Sequence, residues 1–169
     1  MNTPAQATRK SALDEDATNQ YLTFMLAEEY GVDILKVQEI RGWEQPTMLP
    51  NAVAYVLGVI NLRGTVVPII DLRQRFNLEK SQFGQTTVVV VVKVAGADKE
   101  RTVGLVVDAV SEVYNVNDAD IRPAPDLGGA ISTEFVKGLA TLGEKMIILL
   151  DIDKLISAGV LQEITNGAH

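Results

Sequence analysis

The sequence contains no cysteine, and its one histidine, His169, is the last residue. The lack of cysteine excludes disulfide frameworks and thiolate metal sites, and without a well-placed histidine the common nucleophile–base pairs cannot be assembled. No glycine-rich phosphate-binding motif occurs either. We therefore expect no bound metal, no cofactor and no enzymatic activity.

Positive charge and long hydrophobic runs are also scarce. Fifteen Lys and Arg stand against 22 Asp and Glu, giving a net charge of −7, and they are scattered, whereas nucleic-acid binding needs basic clusters. The longest aliphatic runs, VVVVV and MIILL, are far shorter than the ~20 residues that span a bilayer. The N-terminal residues lack the apolar segment of a signal peptide. We expect a cytoplasmic protein without direct membrane insertion and without a nucleic-acid partner.

The stretch GVINLRGTVVPIIDL, residues 58–72, places two apolar runs around Arg63-Gly64. This pattern predicts a β-hairpin with Arg63 at the tip of its turn. A weaker copy, GLATLGEKMIILLDI, occupies residues 138–152 and has Gly143 where the first copy has Arg63. An arginine kept in only one of two copies is more consistent with a functional role than with an architectural one.

A second set of matches lies upstream, where residues of the first half recur 73 positions later. The pairs are Gly31 and Gly104, Val37 and Val110, Glu39 and Glu112, and Ile40 and Val113. Self-similarity of this kind predicts two copies of one supersecondary unit. Each half holds about five short strands, which is typical of a small closed barrel.

The organisation along the chain follows from this repeat. Residues 1–19 are predicted to be a disordered tail, 20–160 one folded domain, and 161–169 a polar tail. Within the domain we expect two barrel subdomains, about 20–85 and 86–152, and a C-terminal helix. The five valines of TTVVVVVKV predict a central strand buried on both faces, and YLTFML predicts another central strand. Asp71 is a plausible N-cap for a short helix, LRQRF.

Two clusters of carboxylates leave a rival hypothesis open. Paired acids at Asp118 and Asp120, or at Asp151 and Asp153, could serve a hydrolase as acid and base. The alternative roles are a solvated loop and a helix cap. A third hypothesis, a small barrel that binds nucleic acid, needs a basic face that this composition does not supply. A non-enzymatic binding module accounts best for an apolar β protein of this kind.

Four segments carry a family resemblance: YGVDILKVQEIRG, GVINLRGTVVPIIDLR, VGLVVDAVSEV and IRPAP. From about Tyr21 to Ile156, the sequence strongly resembles the CheW family of chemotaxis coupling proteins. The resemblance implies an all-β fold with a few short helices, built as two intertwined five-stranded SH3-like β-barrels with a C-terminal helix. It also implies a free-standing adaptor.

The implied adaptor couples the regulatory domain of the histidine kinase CheA to the cytoplasmic tips of methyl-accepting chemoreceptors. Through this link, sensory signals reach the flagellar motor pathway. Its expected location is the cytoplasm, at membrane-associated chemoreceptor arrays.

The resemblance also implies two sets of contact residues. The receptor groove would lie between the barrels. Its lining would be aliphatic: Ile34, Leu35, Val37, Val107 and Val110. Two charged residues, Glu39 and Arg63, would lie beside it. The alternative for the aliphatic residues is a place in the core, and the alternative for Arg63 is a surface ion pair with Glu39.

The kinase surface would lie around the loop from Trp43 to Pro50 and include Met48. Trp43 is the only tryptophan, so it would serve either as an exposed hot spot or as a partly buried packing anchor. A second kinase contact would fall at Asp126 and Leu127. Family members can carry an aromatic residue where this chain has Leu127, and leucine buries less area, so this contact is expected to be weaker.

Overall fold

The computed structural model describes residues 18–79, 83–95, 99–125 and 133–157. The first half contains β1 (Thr18–Leu26), β2 (Glu28–Asp33), a 3-10 turn (Ile34–Lys36), β3 (Val37–Gly42), β4 (Val56–Leu62), β5 (Thr65–Asp71) and α1 (Leu72–Arg75). The second half contains β6 (Val88–Ala95), β7 (Glu100–Val107), β8 (Ala109–Asn117), a 3-10 turn (Asp118–Asp120), β9 (Ile121–Arg122), a 3-10 turn (Thr133–Phe135), β10 (Val136–Leu142), β11 (Lys145–Leu150) and α2 (Ile152–Ser157).

The strands form two sheets that each draw on both halves of the chain. The first has the order β8-β1-β2-β11-β10-β9, and the second has the order β3-β6-β7-β5-β4. The all-β prediction is confirmed, the halves are intertwined, and β1 and β6 are inner strands as expected. The sheets do not divide the chain at residue 85, because β3, β4 and β5 of the first half join the second sheet while β8 to β11 of the second half join the first.

The two hairpins have the same register, which supports the repeat seen in the sequence. Strand β4 pairs with β5, and β10 with β11, and each ladder shifts by one residue just before Gly58 or Gly138. Each hairpin then pairs in parallel with a strand of the other repeat. Ile69 of β5 lies beside Gly104 of β7, and Leu149 of β11 lies beside Gly31 of β2. The repeats have therefore exchanged their hairpins.

Burial on both faces of β6 explains its run of valines. Val90 and Val92 join a large cluster with residues from both sheets, including Phe24 of β1. Val89 and Val91 point the other way, into a smaller cluster formed by strands of the second sheet. A strand that faces two cores needs apolar residues at every position, so alternation disappears.

Several local expectations need adjustment at the edges of elements. Strand β1 begins at Thr18, and residues 18 and 19 pair with β8, so the predicted N-terminal tail of residues 1–19 is two residues too long. The first sheet has six strands because Ile121–Arg122 pairs with β10. At the matching place in the second sheet, Thr47 and Val59 form an isolated bridge. The tail at 161–169 lies outside the described residues.

The cap predicted for the first short helix is confirmed. The Asp71 side chain accepts a hydrogen bond from the backbone N–H of Arg73 at 3.0 Å, at the start of α1. The repeat equivalent, Asp151, accepts from the N–H of Lys154 at 3.1 Å in α2. No helix among the described residues is long and apolar enough to cross a membrane.

Gly58 lies against the backbone of Thr47, next to the isolated bridge between Thr47 and Val59. A Cβ at Gly58 would overlap the Thr47 carbonyl and lie 2.7 Å from the Thr47 carbonyl carbon. Its φ of 145° also disfavours any side chain. We expect Gly58→Ala to lower the free energy of unfolding by about 2 kcal/mol or more in urea titrations. Gly42→Ala is the matched control, since its Cβ would meet nothing within 4 Å. Equal stability of the two variants would contradict the close approach of the Thr47 backbone to Gly58.

Candidate functional site

The turn between β2 and β3 presents an exposed leucine on a fixed backbone. The Asp33 carboxylate accepts from the Leu35 N–H at 2.9 Å, which caps the turn. The Lys36 ammonium contacts the Asp153 carboxylate of α2 at 2.7 Å, and Asp153 also accepts from the Ala95 N–H at 2.8 Å. Leu35 itself is 84% exposed. The chain therefore anchors both sides of a large apolar side chain that it leaves in solvent.

Three other residues predicted for the groove lie partly buried around the shared core. Ile34, Val37 and Val110 all pack against the large cluster that draws on both sheets. The structure thus brings the turn after β2, the start of β3 and the start of β8 to one core. Half-buried aliphatic side chains of this kind keep some surface for a partner.

Val107 is a correction to the predicted site. It is 1% exposed and belongs to the large core cluster, so it offers no surface to a partner. By the spacing of the repeat it corresponds to Ile34, but no 3-10 turn follows β7 to push the side chain outward. The single residue Asp108 separates β7 from β8, and its carboxylate accepts two hydrogen bonds from Arg73 Nε, at 2.8 and 3.0 Å.

Arg63 occupies a strained position at the tip of the β4–β5 hairpin. Its φ is 51° and that of Gly64 is 87°, as in a type I′ turn, where Asn or Asp normally precedes Gly. The Gly64 N–H donates to the Asn61 side chain at 2.9 Å. An arginine in left-handed backbone costs about 1 kcal/mol. The residue is therefore not explained by the needs of the turn.

The expected ion pair between Arg63 and Glu39 is confirmed, and it extends further. One Glu39 oxygen accepts from Arg63 Nη2, and the other accepts from Arg41 Nη1 at 3.2 Å. Arg41 Nη2 donates in turn to Glu44 Oε1 at 3.2 Å. The hydrogen bond from Arg63, followed by that from Arg41, holds the pKa of Glu39 below its usual value. Its carboxylate is thus ionised at neutral pH and held from two sides.

Beside this ion pair lies a small cavity in the second sheet. Its volume is about 230 Å³, and three apolar and four polar residues line it: Gln38, Leu62, Arg63, Thr65, Val67, Val91 and Thr102. The contact between Arg63 and Glu39 therefore ties the hairpin tip to β3 next to the opening between them.

The second hairpin has a cationic contact of its own. Lys145 Nζ lies 3.0 Å from the Tyr114 hydroxyl of β8 and 3.7 Å from Glu29 Oε1. Strand β8 holds the place in the first sheet that β3 holds in the second. Both copies therefore tie the hairpin tip to the equivalent strand, by different residues. The absence of arginine at Gly143 is weaker evidence for function than the sequence comparison indicated.

The predicted kinase residues differ in exposure. Trp43 is partly buried against the second-sheet cluster and stacks on Phe83, with 4.1 Å between ring centroids. It is therefore a packing anchor rather than a fully exposed hot spot. Met48 is 76% exposed. Asp126 and Leu127 lie outside the described residues.

Three of the four carboxylates behind the hydrolase hypothesis have partners in the structure. Asp151 caps α2, Asp153 pairs with Lys36, and Asp118 accepts from the Asn19 amide at 3.1 Å. Within the part of the chain that the structure describes, no group of three or more His, Cys, Asp or Glu could hold a metal ion. These contacts favour the helix cap and the loop over acid–base chemistry.

Two features of this region were missed in the sequence: the Glu39–Arg41 pair and the stacking of Phe83 on Trp43. The signal for the first was available, because Glu39 and Arg41 alternate on one face of a strand. The second joins residues 40 positions apart through a loop, and no local pattern indicates such a contact.

Comparisons with known proteins agree with this geometry. The family model of the CheW-like domain matches residues 20–160. The chain is 44% identical to the chemotaxis protein CheW of Klebsiella aerogenes, covering 96% of each chain. It is 42% identical to CheW of Rhizobium meliloti, covering 76% of this chain and 80% of the relative. The crystal structure of the scaffolding protein TtCheW from Thermoanaerobacter tengcongensis matches with a TM-score of 0.74 at 34% identity, covering 84% of this chain and 94% of that one.

The pKa of the Glu39 carboxylate reports whether its contacts with Arg63 and Arg41 form in solution. Because its pKa is lowered in the folded state, the stabilisation from this contact is present at neutral pH and is lost as pH falls through the lowered pKa. In a carbon-detected NMR titration, we expect the pKa of Glu39 in the native protein to lie below the usual range of a glutamate. Arg63→Asn should raise that pKa, and Lys93→Gln, which removes a charge elsewhere on the same sheet, should not. An unchanged pKa in Arg63→Asn would disprove the contact.

Proposed function

Because the chain belongs to the CheW-like family of chemotaxis scaffold proteins, we propose that it is a non-enzymatic adaptor that couples the kinase CheA to chemoreceptors. One surface holds the cytoplasmic tip of a methyl-accepting receptor, and another holds the regulatory domain of the kinase. The adaptor works in the cytoplasm, at receptor arrays. It passes the receptor signal to the kinase, and thereby to the flagellar motor pathway.

The observation that carries the proposal is the exposed Leu35 on its anchored turn. An apolar side chain exposed to water does not stabilise the fold. Because the backbone of its turn is already fixed, however, Leu35 loses little conformational entropy when it binds a partner. A receptor tip is helical, and an apolar helix face fits a surface of aliphatic side chains. Ile34 and Val37, on either side of Leu35 in the chain, are half-buried aliphatic residues, and Val110 of β8 packs against the same core.

Charge at the border of this surface gives it direction. Glu39 lies on β3, which begins directly after the Leu35 turn. Arg63 of the β4–β5 hairpin contacts Glu39. The Arg63 side chain is 70% exposed even while it is paired, so donors remain for a carboxylate or a carbonyl of the receptor. Arg63 then fixes the register of the receptor helix by a charge-assisted hydrogen bond.

The kinase surface rests on the loop that follows β3. Met48 is exposed, and a methionine side chain adapts well to a partner's apolar surface. Trp43 supports this loop through its stacking on Phe83 and its backbone hydrogen bond to Thr87, at 3.2 Å. Asp126 and Leu127 remain proposed as a second kinase contact.

Two exposed residues separate the proposed surfaces in one experiment. Leu35→Ser should weaken binding of a receptor tip about ten- to a hundredfold, because burial of one leucine contributes about 1.5–3 kcal/mol. Met48→Ser should weaken binding of the CheA regulatory domain and leave receptor binding unchanged. Both affinities are measured by calorimetry, and each variant is the control for the other. The thermal midpoints of both variants should equal that of the native protein, because both residues are exposed.

The native protein should also hold both partners at once, seen as a ternary complex in size-exclusion chromatography with light scattering. Competition between the two partners would contradict separate surfaces.

Arg63→Asn tests the arginine without disturbing the turn. Asparagine tolerates left-handed backbone, and an Asn-Gly pair suits a type I′ turn, so the thermal midpoint should hold or rise. Receptor affinity should fall about ten- to a hundredfold, as expected for a lost charge-assisted hydrogen bond. Kinase affinity should not change. If receptor affinity stays at the native value while the midpoint rises, Arg63 has no part in receptor binding.

A further inference from the structure

Arg41 bridges two carboxylates that belong to different parts of the proposed adaptor. Its Nη1 donates to Glu39 and its Nη2 to Glu44, both at 3.2 Å. Glu39 is held on its other oxygen by Arg63. Glu44 lies in the loop after β3, next to Trp43. The four side chains form a continuous ladder, here called the β3 charge ladder: Arg63, Glu39, Arg41 and Glu44.

We propose that Arg41 is a positioning residue that fixes Glu39, and through it Arg63, in the orientation that receives the receptor. The proposal rests on the function proposed above, because it concerns how the receptor surface is ordered. Without Arg41, Glu39 keeps one of its two cationic partners and is free to rotate about its side chain. Arg63, which is anchored only by Glu39 in the contacts of the ladder, then loses its fixed direction.

The chemistry requires arginine at this place rather than any cation. A guanidinium is planar, and its two terminal nitrogens reach two carboxylates at a fixed separation. A lysine ammonium is a single strongly hydrated point charge on a flexible stem, so it can satisfy one carboxylate without fixing the other. The pKa of Arg41 is raised by its hydrogen bonds to Glu39 and Glu44, in agreement with a double contact.

The ladder also connects the receptor surface to the kinase loop. Glu44 takes the far end of the Arg41 fork, and its neighbour Trp43 is fixed by its contacts with Phe83 and Thr87. A shift of the loop on kinase binding would change the Arg41–Glu44 contact first and the Glu39–Arg63 contact next. The contacts of Arg41 thus join Glu44 of the loop to Glu39.

The first measurement needs no partner. NMR relaxation of the arginine guanidinium groups should find Arg63 ordered in the native protein and mobile in Arg41→Gln. Arg41→Lys should give an intermediate or mobile Arg63 despite the conserved charge. Lys93→Gln is the control, because it removes one positive charge from the same sheet outside the ladder. An Arg63 that remains as ordered in Arg41→Gln as in the native protein overturns the proposal, whatever the receptor does.

The second measurement is a double-mutant cycle with a receptor-tip fragment, by calorimetry. Arg41→Gln should lower affinity about three- to tenfold, in the range of couplings carried through side-chain networks. In the Arg63→Asn background, the same change should have less than about a twofold effect, because a residue that acts through Arg63 has nothing left to orient. Glu44→Gln should show the same dependence on Arg63. Full additivity overturns the proposal.

The controls separate this inference from the adaptor function. If the native protein fails to bind the receptor fragment, the adaptor function fails, and the order of Arg63 still decides the positioning role. If the native protein binds, Arg63→Asn weakens binding and Arg41→Gln binds like the native protein, the positioning role alone is refuted. If Arg41→Gln lowers the thermal midpoint, Arg41→Lys and Glu44→Gln decide the outcome by the same cycle.

Discussion

The exchange of hairpins between the two repeats is the constraint on which the rest of the structure depends. The β4–β5 hairpin completes a sheet begun by β6 and β7, and the β10–β11 hairpin completes a sheet begun by β1 and β2. At each parallel junction a glycine, Gly104 or Gly31, gives room to the hairpin's aliphatic side chains. Neither repeat can bury its apolar residues alone, so the large core must form from both at once.

The repeats differ most where they meet solvent. At one corner Leu35 is exposed; at the equivalent corner Asp108 is held by Arg73 of α1. One corner is thus open to a partner while the other is occupied from within the chain. The hairpin tips diverge in the same way, since both are tied to a neighbouring strand but only one bears an arginine in left-handed backbone. A common scaffold with two kinds of corner is a simple physical origin for an adaptor with distinct surfaces.

The parts of the fold that were predictable are those with a local signal. Turn residues marked the hairpins, five consecutive valines marked a strand buried on both faces, and the family resemblance placed Glu39 and Arg63 beside the same groove. The exchange of hairpins was invisible to composition and periodicity, because strand pairing across the repeat depends on distant contacts; only the family resemblance implied intertwining. Val107 was misplaced for a similar reason: a valine in a strand reads alike on a core face and on a groove face. Arg41 was overlooked because its role lies in contacts to two residues, not in its own type.

Strand β3 sets the distance between the two proposed surfaces and also connects them. The Leu35 turn ends where β3 begins, and the kinase loop begins at Trp43, where β3 ends. Six residues at about 3.3 Å each separate them by about 20 Å, enough for two partners to bind side by side. The strand pairs from Val37 to Gly42 with β6, which is buried on both faces, so β3 is attached to the core along its length. Glu39 and Arg41, which lie opposite Val91 and Val89 of β6, then form a chain of contacts along one face of the strand. A strand attached to the core that carries its own charged ladder suits the proposed adaptor, in which two partners would bind at its two ends.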